Sequence, residues 1–405
     1  MTLPAHTPVR RSSLRIGMLV GSTSVTAGGV SEAVHSLAAA LGRRSDVSIE
    51  IFAPEDGRDG RSFGEIPVRL AKIRGPSSFA YAPHLVRQLL DADLDVLHVH
   101  GLWMYMSIAA WRWARATGRP YVVSPHGMLD PWALDNNRIK KQLAMLAYEG
   151  AHLTNAACLH ALCEAEAAAF RQAGLTAPVS VLPNGVEPPG GAIRTAPWRS
   201  SMPSDAKVAL FLGRVTAKKR VADLIKAFDR LAAGTTWRLV IVGPIDSAYQ
   251  PIVYAAAAGA HHGDRIHIVG PAYGEARSAA YASADLFVLP SISEGLPMAA
   301  LEAFVFGVPA LLTPQCNLPE AVERGAALEI ESSLEGIAGG LRRFFAIEPE
   351  ASSAMGHAAC RLAGDVFNWN AIAERMAALY GHLSMRHEPP PAFVRALSGR
   401  AGLPA

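Results

Sequence analysis

The sequence predicts an α/β chain of two doubly wound parallel-sheet domains, and three observations carry that expectation. Short, wholly apolar runs alternate with helical periodicity from residue 14 onward, the pattern of parallel strands covered on both faces by crossover helices. The alternation restarts after a stretch rich in Pro, Gly and Ser at 188–204, the composition of an interdomain linker. The chain has 405 residues and is 50% hydrophobic, too long for one ordinary core and apolar enough for two.

Residues 1–13 are polar and contain proline, and read as a flexible lead-in. Residues 14–20 form the first expected strand, 21–29 a Ser/Thr/Gly loop, and Val30, Val34, Leu37 and Leu41 recur at helical spacing. Gly28 and Gly29 stand where that helix opens, so backbone N–H groups can approach a phosphate there, or the pair is a plain turn. Further strands are expected at 47–53, 96–100, 121–124, 159–162 and 179–182. Asp91, Asp93 and Asp95 precede a strand and read as a polar turn on the edge away from ligands, not as a metal motif.

His100-Gly-Leu-Trp103 and Ser124-Pro-His126-Gly-Met-Leu-Asp-Pro-Trp132 both follow strands, which places two histidines on the ligand-facing edge. Trp103, Met104, Tyr105, Met106, Trp111 and Trp113 crowd one region with Arg112, Arg115 and Arg119. Two readings stand for it: core packing with a solvated basic rim, or a patch for an anionic membrane surface.

The second half opens with a strand at 208–212, followed by Gly213, Arg214, Lys218, Lys219 and Arg220, then a helix striped by Val221, Leu224, Ile225, Phe228 and Leu231. Cations at a helix N-terminus oppose the helix dipole unless an anion is bound there, and a diphosphate fits. Strands at 239–242, 266–269, 286–289 and 310–312 complete the second sheet. Glu294 lies in the loop after one of them, and Glu302 lies inside the apolar helix that Pro297 opens and Gly307 and Pro309 close. Ionised carboxylates accept hydrogen bonds only, which suits the vicinal hydroxyls of a ribose or hexose.

Glu294 and Glu302, with seven residues between them in PSxSEGxPxxxLEAxxxGxP, resemble the E-x7-E signature of retaining GT-B glycosyltransferases of family four. The loop from Gly213 to Arg220 is similar to that family's G-R-x4-K-G motif, with Arg220 in place of the final Gly. The Leu182-Pro-Asn184-Gly-Val186 stretch is similar to its P-N-G-V junction. SPHGMLDPW and Gln315-Cys-Asn317 resemble bacterial members that act in polysaccharide assembly. The resemblance covers about residues 14–383.

It implies two Rossmann-like domains facing across a cleft: an acceptor-side domain at 14–187, a linker at 188–204 and a nucleotide-sugar donor domain at 205–366. A helix at 367–385 would cross back to the first domain, ahead of a disordered tail at 386–405. The implied catalytic residues are His126, Arg214, Lys219 and Glu294. Donor binding would fall to Gly28, Gly29, Asn184, Glu294, Gly295, Leu296, Pro297 and Glu302, and the acceptor side to His100 and Trp103. The expected partners are a UDP- or GDP-linked sugar and a saccharide acceptor, lipid-linked and part of exopolysaccharide or cell-surface polysaccharide assembly, with retention of anomeric configuration.

No cofactor and no metal are expected, because Arg and Lys stand in the metal's role. A net charge of +3 does not indicate a nucleic-acid partner. Cys158, Cys163, Cys316 and Cys360 show no metal-ligand or disulfide spacing, which fits a reducing cytoplasm, with a peripheral contact at the inner face of the membrane as a second element of the expectation. Two alternatives remain open at this stage: a non-catalytic nucleotide-sugar-binding or membrane-surface scaffold, and a nicotinamide-dependent oxidoreductase. The latter lacks G-x-G-x-x-G after the first strand.

Overall fold

A computed structural model describes residues 13–24, 28–58, 60, 62–188, 190, 194–385 and 390–395. The expectations for residues 1–12, 386–389 and 396–405 lie outside the described residues. The chain divides into two compact units, Met1–Leu182 with Trp369–Ala405, and Pro183–Asn368. The boundary thus falls before the Pro/Gly-rich stretch, and the described part of 188–204 belongs to the second unit. Ala196 and Met202 are buried there, Pro197–Ser201 forms a 3-10 turn, and the Ala196 N–H donates to Ser283 Oγ at 2.9 Å.

The first unit holds β1 (Leu14–Val20), β2 (Val47–Glu55), β3 (Val68–Lys72), β4 (Val96–His100), β5 (Tyr121–Ser124), β6 (Cys158–Ala161) and β7 (Val179–Val181). The second holds β8 (Lys207–Leu212), β9 (Trp237–Val242), β10 (Ile266–Gly270), β11 (Leu286–Leu289), β12 (Ala310–Leu312) and β13 (Ala327–Glu329); β14 (Val394–Arg395) returns to the first. The sheet orders are β14-β7-β6-β5-β4-β1-β2-β3 and β10-β9-β8-β11-β12-β13, parallel throughout except for the β14–β7 pair. In each sheet the order reverses once, between β1 and β4 and between β8 and β11. The loops leaving those strands open the crevice where doubly wound sheets take ligands.

Register brings the loops of the first sheet to one level: Val20 pairs with His100, and His100 with Ser124. The helix Trp369–Met385 joins this unit by burying Trp369, Ile372, Met376, Leu379 and Tyr380 in the cluster that also holds Val34, Leu37 and Leu41 of the helix Gly29–Gly42. Three strands escape a search for continuous apolar runs. β3 is an edge strand that alternates polar and apolar residues and leaves Val68 and Leu70 exposed, β13 has only three residues, and β14 corrects the expectation of a wholly disordered tail. The edge of β7 offers unpaired backbone groups, and Val394 and Arg395 take them, opposite Ser180 and Val179. Arg395 adds an ion pair with Glu164 at 3.0 Å.

The aromatic crowd at 103–113 is core. Tyr105, Met106 and Trp113 are buried, Arg119 pairs with Asp93 at 2.8 Å, and Arg115 lies over the half-buried Trp111 ring. These contacts support the reading of core packing with a solvated basic rim, in which Trp103, Met104 and Trp111 are half-buried and Arg112 and Arg115 exposed.

In the second unit, two glycine loops cross at the strand ends. Gly213 (φ 148°) and Gly243 (φ 145°) adopt backbone conformations that favour glycine, and a Cβ at Gly243 would collide with the Gly213 carbonyl oxygen. Gly243→Ala is expected to destabilise the chain by about 1–3 kcal/mol, measured by urea denaturation. Unchanged stability would mean that the crossing is not tight.

Candidate active site

The site of the second unit is assembled by the loops at its strand-order reversal. After β8, the 3-10 turn Ala217–Lys219 brings Lys219 Nζ to 3.0 Å from Glu294 Oε1, and Lys218 Nζ lies 3.9 Å from Oε2. Glu294 itself follows β11, and the backbones of the two loops are joined by the Ile292 N–H, which donates to the Lys218 carbonyl at 2.9 Å. The Ser291 hydroxyl donates to Glu294 Oε1 at 2.7 Å. Burial by itself raises a carboxyl pKa; here the charges of Lys219 and Lys218, with the hydroxyl, outweigh it and lower that of Glu294.

The loop after β12 secures the backbone. The Glu294 N–H donates to the Gln315 carbonyl at 3.0 Å, and Asn317 Nδ2 donates to the carbonyls of Glu294 and Gly295 at 2.7 and 2.9 Å. Leu296 and Pro297 are buried beside them. Arg214 is exposed, with no ion pair among the described residues, and so is open to an anion. Arg220 takes the left-handed turn (φ 55°) that opens the helix Val221–Ala232, and pairs with Asp223 at 2.9 Å.

Glu302 takes partners from another helix. It lies in the helix Met298–Val305, accepts from the Tyr281 hydroxyl at 2.8 Å and pairs with Arg277 at 3.4 Å. Both partners come from the helix Gly274–Ala282, which sequence reasoning did not connect with the site. The only signal was a carboxylate in an apolar helix, which requires some partner without naming it. Asn184 is buried in the same unit.

Gly28, Gly29, His100, Trp103 and His126 belong to the first unit. Gly28 (φ 90°) caps the helix Gly29–Gly42, and both glycines are exposed with open space where a Cβ would stand. His100 is buried, with Nδ1 3.1 Å from His126 Nε2. Two further histidines that the sequence reading passed over adjoin them. His98 hydrogen-bonds the Tyr380 hydroxyl at 2.7 Å and Ser124 Oγ at 2.6 Å; Ser124 reaches His160 Nδ1 at 2.6 Å, and His160 Nε2 donates to the Leu182 carbonyl at 2.8 Å. Burial lowers all four imidazoles, His126 to about 3 and His160 to about 4, so the cluster is neutral at physiological pH. Among the described residues no group of three or more His, Cys, Asp or Glu is arranged to hold a metal ion.

Two buried glutamates fix the turns that carry His126 and Trp103, which both have positive φ (55° and 71°). Glu166 accepts from the Gly127 and Leu162 N–H groups at 2.6 and 2.8 Å. Glu149 accepts from the Trp103 N–H at 2.7 Å and the Ser107 hydroxyl at 3.0 Å. Single glutamates on helices give no sequence signal of this role.

Burial raises both carboxyls from an ordinary 4.5 to about 7. Between those values the folded chain keeps protons that the unfolded chain has lost. Their contribution to stability therefore falls as pH rises through that window, by up to about 1.4 kcal/mol per pH unit for each group. The buried histidines, with lowered pKa values, act with the opposite sign. The difference between wild type and Glu149→Gln isolates one carboxyl: in urea denaturation at several pH values, the variant is expected to gain on the wild type from about pH 5 to pH 7. A constant difference would mean that Glu149 is ionised throughout.

The model of the Glycosyl transferase 4-like domain matches residues 28–185, and that of Glycosyl transferases group 1 matches residues 193–362. GDP-mannose:cellobiosyl-diphosphopolyprenol alpha-mannosyltransferase of Komagataeibacter xylinus is 24% identical over 397 residues, covering 93% of this chain and 95% of its own. D-inositol 3-phosphate glycosyltransferase of Stackebrandtia nassauensis is 27% identical, covering 84% of this chain and 79% of its own. Among solved structures, sucrose-phosphate synthase from Thermosynechococcus elongatus superposes with TM-score 0.76 at 19% identity, covering 92% of this chain and 100% of its own. Anabaena HepE in complex with UDP and glucose superposes with TM-score 0.71 at 18% identity, covering 90% and 98%. The chain belongs to the family-four GT-B glycosyltransferases, its first unit carrying the 4-like domain and its second the group 1 domain.

Proposed function

We propose that the chain transfers a sugar from a nucleoside-diphosphate sugar to a hydroxyl of a lipid-linked saccharide in cell-surface polysaccharide assembly, with retention and without a metal ion. The observation that carries this reading is the pairing of Lys219 with Glu294 where the second sheet reverses its strand order. A cation for the leaving diphosphate and an acceptor for sugar hydroxyls stand within one hydrogen bond of each other. The Komagataeibacter relative is named for a GDP-sugar donor and a diphosphopolyprenol-linked acceptor, and HepE was solved with UDP and with UDP-glucose. Those names support the donor and acceptor classes and leave both UDP and GDP in play.

Cleavage of the anomeric C–O bond puts negative charge on the departing diphosphate. Arg214, Lys218 and Lys219 would meet that charge, and the Gly28 and Gly29 amides would add backbone donors. Glu294 and Glu302 would accept from donor hydroxyls, with Asn184, Gly295, Leu296 and Pro297 shaping the same donor site. The acceptor hydroxyl would attack on the face that the leaving group departs from, passing its proton to the departing phosphate. His126, neutral and hydrogen-bonded to His100, would orient the transferred sugar without adding charge, and Trp103 would line the acceptor side.

Lys219→Ala is expected to lower kcat about 100- to 1,000-fold with a smaller change in donor affinity. Steady-state transfer assays with UDP- and GDP-sugars in EDTA measure this. Wild-type turnover in the variant would remove Lys219 from the leaving-group site, and loss of wild-type turnover in EDTA would overturn the metal-free reading. Glu302→Gln is expected to weaken donor binding by about 1–3 kcal/mol, read by calorimetry. Equal affinity would remove Glu302 from the donor site.

A further inference from the structure

We propose that the helical segment running from Arg138–Ala144 into the π turn Met145–Glu149 docks on an anionic lipid surface. Ile139, Leu143 and Leu146 are 74%, 62% and 86% exposed. Their spacing of four and then three residues sets them on one stripe of a helix, so together they form a ridge that is left mostly exposed. A helix in a globular domain normally turns such a stripe inward.

The chemistry around the ridge selects the occupant. Residues 136–148 contain Arg138, Lys140 and Lys141 and no carboxylate, and Arg138 and Lys140 are exposed beside Ile139. An apolar stripe flanked by cations suits the boundary between anionic headgroups and acyl chains. A second copy of this chain fits less well, because a two-fold contact would set the same cations against one another. No helix among the described residues is long and apolar enough to cross a membrane, so such a contact would be peripheral.

The ridge is joined directly to the turn of Trp103. The π turn delivers Tyr148, whose hydroxyl donates to the Trp103 carbonyl at 2.9 Å, and Glu149, which accepts from the Trp103 N–H at 2.7 Å; Lys141 Nζ stands 5.7 Å from the Trp103 ring centre. An acceptor carried by a lipid would therefore reach the acceptor-side turn from the surface on which the ridge rests. This last step rests on the lipid-linked acceptor proposed above; the docking itself does not.

Flotation of the full chain with phosphatidylglycerol-containing vesicles, against pure phosphatidylcholine vesicles at low and physiological salt, tests the docking. The wild type is expected to float with the anionic vesicles, less so as salt rises. The double variant Leu143→Ser, Leu146→Ser is expected to lose at least about ten-fold in partition, by analogy with the cost of removing buried methylenes from an interface. Melting temperature and donor hydrolysis without vesicles are expected to stay at wild-type values, since both side chains are exposed. Three results would each overturn the docking: no binding of the wild type to anionic vesicles, equal binding by the double variant, or a lipid-free dimer that the double variant abolishes. Intact vesicle binding without transfer to a lipid-linked saccharide held in the same vesicles would reject the acceptor reading and leave the docking standing.

Discussion

A carboxylate shut away from water stays ionised only while cations remain beside it, and the strand-end loops of the second unit are built around that condition. Glu294 has 10% of its side chain exposed and Lys219 13%. Removing either would leave the other charge buried and unpaired, which costs more than the pair itself contributes. The geometry of the pair in turn depends on backbone supplied by the loops after β8, β11 and β12, through the Ile292, Glu294 and Asn317 hydrogen bonds. Under the proposed function, arriving phosphate oxygens and sugar hydroxyls would offer each partner a replacement for the other.

The first unit solves its burial problem by removing charge. Four imidazoles lie close together, with His98 and His100 ring centres 4.0 Å apart, an arrangement that repulsion would break if they were protonated. Burial keeps them neutral, and a line of hydrogen bonds from Tyr380 through His98, Ser124 and His160 to the Leu182 carbonyl satisfies both nitrogens of His98 and both of His160. A neutral His126 offers hydrogen bonding without Coulombic pull, which suits an uncharged sugar hydroxyl better than a phosphate.

Much of this was legible in the sequence where one residue type carries one physical demand. Fully buried parallel strands need unbroken apolar runs, so the boundaries expected for β1, β4, β5, β11 and β12 match the observed ones. β3 and β14 were not legible, because an edge strand is defined by what it pairs with and not by its own burial. The same limit applied to the sites. Lys219 and Glu294 stood out as charges in loops after strands, whereas Arg277, Tyr281, Glu149, Glu166, His98 and His160 act through contacts between elements distant in sequence. Nothing in a single sequence brings Glu166 to Gly127 or Tyr380 to His98.

Arg220 separates two kinds of glycine requirement in the loops after β8 and β9. The family motif has Gly at this position, and the chain keeps the left-handed turn (φ 55°) with arginine, a conformation that costs a side chain about 1 kcal/mol. The ion pair with Asp223 and a hydrogen bond to the Ser332 carbonyl at 3.3 Å accompany the exchange. What the motif demands there is a backbone angle, which another residue can meet at moderate cost. At Gly243 the demand is space as well: a Cβ there would stand 1.9 Å from the Gly213 carbonyl oxygen, a backbone atom of the β8 loop. The turn that sets Lys219 against Glu294 therefore tolerates substitution at Arg220, while the crossing beneath it does not.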